Sequence, residues 1–185
     1  MQVERILMTA AAVMAIAGPA AADAPKGWET YTDAKAGWSI SYPANLKVNR
    51  RYTYARLTPA IPGASFSVPD SYTKGTNLEE GTLSVETLPG KACKPAQFLD
   101  DTPEDIKPLK ADGRSYISAN YHDAGMSHLA TTELFVIEGT CTAVRYLASS
   151  VAAGALDPMP REYDPVKLDK LFDSIRATLK LKGEH

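Results

Sequence analysis

Residues 114–148 read RSYISANYHDAGMSHLATTELFVIEGTCTAVRYLA, and the reading of this stretch decides the fold. Its centre, His122-Asp-Ala-Gly-Met-Ser-His128, is either a metal site or the tip of a hairpin. The flanks favour the hairpin. Ile117, Ala119 and Tyr121 alternate with Ser118, Asn120 and His122, the two-residue period of a half-buried strand. Leu129 to Ile137 is apolar on both faces, as a central strand would be. Glu138-Gly139-Thr140 then makes a tight connection, and Val144, Tyr146 and Ala148 alternate beyond it. Three such runs joined by short loops predict an antiparallel meander. Asp123 to Ser127 is expected as a five-residue loop with His122 and His128 opposite each other on one sheet face, a geometry that can bind a metal in principle, with Asp123 or Met126 as a third ligand. A structural zinc ion requires four close ligands, however, and the third histidine is the terminal His185. Asp123, Gly125 and Ser127 are ordinary turn residues with backbone reasons to be there.

Working outward, Trp38, Ile40 and Tyr42 alternate with Ser39 and Ser41, and Pro43 ends that strand because it cannot donate to a ladder. Tyr52 to Thr58, Ala64 to Val68 and Thr82 to Leu88 are further strand candidates, the last with Leu83 and Val85 facing opposite to Ser84 and Glu86. Lys94 to Leu99 suits a short helix. Thr102-Pro-Glu-Asp105 offers a capping threonine, a proline at the first helical position and acids in the first turn, so a second helix is expected there. That accounts for most of the acidic run Asp100, Asp101, Glu104 and Asp105, which lacks the spacing and turn glycine of a calcium loop. Ser149 to Asp164 reads as a long linker of the kind that often carries function. After it, Asp164 and Pro165 open a helix whose Leu168, Leu171, Phe172, Ile175 and Leu179 form one apolar stripe, fit to cover a sheet.

The chain begins MQVERILMTAAAVMAIAGPAAADAPKGW. Ile6 to Ala17 is too short to span a bilayer but suits the apolar region of a secretory signal, and Ala20 and Ala22 supply a small-residue cleavage site. Residues 1–22 are therefore expected to be a signal peptide and residues 23–185 one domain, periplasmic or secreted, with no membrane anchor. The formal net charge of −2 offers no general attraction to nucleic acid or anionic lipid. Cys93 and Cys141 are the chain's two cysteines, and export to an oxidising compartment implies that they bridge.

Hydrolase and nucleotide signatures are missing: there is no G-x-S-x-G, no H-E-x-x-H and no phosphate loop. The basic stretch Lys47-Val-Asn-Arg-Arg-Tyr-Thr-Tyr-Ala-Arg56 interleaves cations with Tyr52 and Tyr54. Export excludes nucleic acid as its natural partner. Arg50, Arg51, Tyr52 and Tyr54 are left as a solvated strand or as a docking patch for an acidic protein or envelope polymer.

The opening Tyr31-Thr-Asp-x-x-x-Gly-Trp-Ser-Ile-Ser-Tyr-Pro43 resembles the start of PsbP-like domains, and Leu168-x-x-Leu-Phe-Asp-Ser-Ile-x-x-Thr-Leu-Lys180 is similar to their final helix. Asp123-Ala-Gly-Met and Cys141-Thr-Ala-Val, with Thr76-Asn-Leu78 and Cys93, resemble a group of secreted bacterial proteins of unknown function. The resemblance implies an α+β domain, a mainly antiparallel sheet of about six to eight strands covered by helices, and it brings no catalytic residue set. The expectation is a non-catalytic binding or accessory protein of the bacterial envelope, without cofactor and with its partner unidentified. The alternative is a metal-binding or hydrolytic domain using His122, Asp123 and His128.

Overall fold

The meander forms, with a tighter turn than expected. In the computed structural model, which describes residues 24–90, 93–100 and 102–184, β7 (Arg114–Gly125), β8 (His128–Ile137) and β9 (Thr142–Val151) pair antiparallel in sequence order. Gly125 pairs with His128, so Met126 and Ser127 alone make the turn, at φ 47° and 68°. Two consecutive left-handed residues are what a two-residue hairpin loop needs to match strand twist. The expected signal peptide, 1–22, lies outside the described residues.

On the far side of β9 come β5 (Leu78–Thr87), β4 (Ile61–Ser67) and β3 (Lys47–Tyr54); beyond β7 lies β6 (Glu104–Ala111). The seven-stranded sheet is thus ordered β3-β4-β5-β9-β8-β7-β6, every pair antiparallel. A second sheet joins β1 (Trp28–Asp33) and the expected strand β2 (Trp38–Pro43) to a short β10 (Lys180–Leu181). The large sheet has seven strands, within the expected six to eight, and among the described residues the second sheet adds three more.

The helix expected from Thr102 is instead the edge strand β6. Its first-turn signals are followed by no apolar stripe of helical period, and Pro108 would remove a bond of the second turn. Leu109 and Ala111 are half-buried with Lys110 exposed between them, a strand period, and Pro108 sits on an edge where its missing N–H costs no ladder bond. At Lys94 the expected short helix is a 3-10 turn, Pro95–Phe98. The linker is also shorter: Ser149 to Val151 belong to β9, and the remainder is pinned by Asn77, whose Nδ2 donates to Val151 O at 2.8 Å and whose Oδ1 accepts from Tyr163 N at 2.9 Å.

The sheet buries both faces. One carries Ala64, Phe66, Leu83, Val85, Tyr116, Phe135, Val144 and Tyr146, packed against Trp38, Ile40 and Tyr42 of the small sheet and against α2 (Pro165–Arg176). Helix α2 forms where its stripe predicts: Asp164 Oδ1 accepts from Lys167 N at 3.0 Å, and Leu168, Phe172 and Ile175 are buried. The opposite face carries a second core of Tyr54, Ile61, Phe98, Ala119, Leu134, Val136 and Ala143. It is covered by the segment bearing Phe98, which the Cys93–Cys141 disulfide ties to the start of β9. Helices therefore cover little of the sheet: one helix and three strands lie on one side and an extended strap on the other. The other α-helix among the described residues, α1 (Asp70–Thr73), is a single turn.

Candidate functional site

A two-residue turn settles the histidine pair by parity. His122 pairs with Thr131, and His128 pairs with Gly125. Side chains alternate along each strand, so His122 shares its face with Thr131 and Tyr116, while His128 points to the other face with Leu134 and Val136. An odd-numbered loop would have set them opposite each other; an even one separates them. Each ring instead meets a glutamate of its own. His122 Nδ1 lies 3.1 Å from Glu104 Oε2 and His128 Nδ1 lies 2.9 Å from Glu79 Oε2, all four side chains being exposed. Asp123 lies 3.8 Å from Arg56. The alternative arrangement, His122, Asp123 and His128 converging on one ion, is not formed. Among the described residues no group of three or more His, Cys, Asp or Glu side chains is arranged to hold a metal ion.

The basic stretch falls on β3, at one edge of the large sheet, and splits. A bulge interrupts pairing between Asn49 and Tyr52, so Arg50 and Arg51 escape the ladder and stand exposed. Tyr52 is half-buried; burial and the nearby Glu86 carboxylate raise its phenol above the ordinary range. Tyr54 is 8% exposed, part of the second core, and cannot face a partner here. Gly63 faces Tyr52 across the pair, and a Cβ there would stand 2.1 Å from Val85 O, so only glycine lets β4 lie this close to β5.

Beside the bulge is an open cleft of about 440 Å3 bordered by Arg50, Arg51 and Tyr52, by Lys35 of the β1–β2 turn, and by Pro89 and Gly90 after β5. The one carboxylate among its described lining residues, Asp33, is engaged by backbone: Oδ1 accepts from Lys35 N at 3.0 Å and Ala36 N at 2.8 Å. Arg50 stands 6.0 Å over the Tyr31 ring, within cation–π range. Among its described lining residues three cations face one acid, which leaves the cleft with an excess of positive charge, and none of these side chains is placed as nucleophile and base. A larger hollow of about 550 Å3 between α1 and the start of α2 sets Arg161 and Lys167 against Glu162 and Asp164. Its charges cancel, so the end of the 149–164 linker offers no comparable attraction.

Sequence reasoning missed a buried ion pair. Arg145 and Glu86, 2% and 0% exposed, are diagonal neighbours on β9 and β5: Arg145 Nε donates to Glu86 Oε1 at 2.9 Å and Nη2 to Oε2 at 3.0 Å. Ser84 Oγ donates to Glu86 Oε1 at 2.9 Å, Phe98 O accepts from Arg145 Nη2 at 3.1 Å, and the guanidinium lies 3.6 Å over the Tyr54 ring. Burial opposes the arginine's charge, but the Glu86 carboxylate outweighs it and holds the pKa above the usual value. Tyr54 in turn donates to Asp100 Oδ2, and Tyr121 accepts from Asp100 N at 2.9 Å. This network fastens the Phe98 strap to the sheet from within, as the disulfide does at its start. The signal available was a charged residue, Glu86 and Arg145, inside each of two predicted strands.

The sequence matches no family profile and no curated protein. Among solved structures it is similar to a protein of Bacteroides thetaiotaomicron VPI-5482, with TM-score 0.50 and 12% identity over 85% of this chain and 50% of that one; the chain spans half the length of that protein. It is also similar to the cyanobacterial PsbP of Synechocystis sp. PCC 6803, with TM-score 0.45 and 11% identity over 89% of this chain and 99% of that one. At 12% identity the likeness to the Bacteroides protein is one of fold alone.

Proposed function

We propose that this protein is an exported accessory protein of the bacterial envelope that binds an acidic component without covalent chemistry, through the cleft at the β3 bulge. One observation carries the reading: the bulge releases Arg50 and Arg51 from the ladder onto a concave surface where Lys35 adds a third cation. Among the described residues none of the three has a carboxylate within ion-pair distance, in contrast to Lys47 with Asp70 or Arg114 with Glu184. Export is supported by the amino-terminal sequence and by the Cys93–Cys141 bridge. Among the described residues no helix is long and apolar enough to cross a membrane.

The test is retention of purified protein on a column bearing immobilised acidic envelope polymer at low salt. Wild type is expected to be retained and to elute with added salt, and Arg50→Glu/Arg51→Glu to pass through. Equal retention of the variant would reject the cleft as the binding surface.

A further inference from the structure

The basic surface does not end at the first cleft. Asp33 also borders a second hollow, of about 340 Å3, whose cations are Lys180 and Lys182. These two lysines flank the β1–β2 turn: Lys180 pairs with Ser39 of β2, and Lys182 N donates to Gly37 O at 2.8 Å. Lys35, Arg50, Arg51, Lys180 and Lys182 thus stand around one turn, with Asp33 the one carboxylate among the described residues lining either hollow; Glu184, which accepts from Leu181 N at 3.0 Å, is paired with Arg114. All five are exposed, and among the described residues none is ion-paired to a carboxylate.

We propose that the two hollows form one continuous site for a linear polyanion, an envelope polymer with repeating phosphate or carboxylate groups, which enters at Arg50 and Arg51, passes the β1–β2 turn and continues to Lys180 and Lys182. This rests on the reading of the first cleft as an anion site and deepens it by naming the ligand's shape. A single small anion uses one hollow; only a chain with spaced charges gains from both. The surface does not suit a bilayer. The exposed large apolar side chains among the described residues, Ile106, Met126, Leu129, Leu156, Met159 and Val166, border neither hollow, so no apolar anchor accompanies the cations.

Linear polyphosphate of about 20 units and tripolyphosphate are titrated into wild type, Arg50→Glu/Arg51→Glu and Lys180→Glu/Lys182→Glu at several salt concentrations. The number of cations engaged sets the slope of log affinity against log salt. The expected result is that the long chain binds wild type at least about tenfold more tightly than tripolyphosphate, with a steeper slope. Lys180→Glu/Lys182→Glu then loses that excess affinity and slope while still binding tripolyphosphate, and Arg50→Glu/Arg51→Glu weakens both ligands. If Lys180→Glu/Lys182→Glu binds the long chain as wild type does, the site ends at the first cleft and the extension is wrong, although the first cleft stands. If Arg50→Glu/Arg51→Glu changes neither ligand, or neither binds, the reading beneath it fails as well. Binding of anionic phospholipid vesicles without binding of the long chain would also overturn the proposal.

Discussion

Removing Glu86 alone should hurt the protein far more than removing Glu86 and Arg145 together. In Glu86→Ala the Arg145 guanidinium loses bonds of 2.9 and 3.0 Å and keeps only the Phe98 carbonyl and the Tyr54 ring, at 2% exposure. Breaking a buried pair from one side costs roughly 3–5 kcal/mol, because the remaining charge stays out of water, whereas exchanging both partners for apolar residues of similar volume is often close to neutral. Set against a typical total of about 5–15 kcal/mol, that is a large fraction of stability. With a urea dependence of about 2 kcal/mol per molar, the midpoint should fall by roughly 2 M. The assay is urea unfolding followed by tryptophan fluorescence for wild type, Glu86→Ala and Glu86→Leu/Arg145→Met, the double variant being expected to recover most of the loss. A midpoint shift below about 0.5 M in Glu86→Ala would refute the reasoning, since it would mean the guanidinium finds compensation without its carboxylate.

Further outcomes follow from the same structure. Opening the bridge in Cys93→Ser/Cys141→Ser, whose partners are 48 residues apart, should lower stability by about 4 kcal/mol on the chain-entropy account, read as a lower urea midpoint. Glu133 has its carboxyl pKa raised by burial and by Asp169 and Asp173, so ionising it costs more folded than unfolded. Its contribution is complete below the ordinary carboxylate value and is lost as pH rises through the raised one, so Glu133→Gln should be more stable than wild type at neutral pH, the gain vanishing in acid; an equal gain at both pH values would contradict this. Zinc titration should show no stoichiometric ion shared by His122 and His128, and a single site abolished by either alanine variant would contradict their placement on opposite faces.

The elements legible in the sequence are those whose apolar pattern carries a clean period and whose ends are marked. Trp38 to Pro43 declares itself as a strand by alternation and a terminal proline, and the stripe from Leu168 to Ile175 declares a helix with Asp164 as its cap. At Thr102 the cap signals were present without the stripe, and pairing with β7 prevailed over local propensity. The hairpin was legible, but its turn length was not: Asp123, Gly125 and Ser127 all suit a turn, and only the register shows that the loop holds two residues. That difference of parity reversed the fate of the histidines. Arg145 and Glu86 stayed hidden because alternation marks them as opposite to the main core without revealing that the other face is buried too. Of the basic stretch, exposure of Arg50 and Arg51 was readable from charge alone, whereas the bulge that presents them and the burial of Tyr54 follow from pairing with β4.

Amide chemical-shift mapping during titration with linear polyphosphate tests the central claim most directly. The account predicts perturbations centred on Lys35, residues 50–53 and residues 180–182, absent in Arg50→Glu/Arg51→Glu. Perturbations centred instead on residues 122–128 or on the start of α2, or none anywhere, would contradict it.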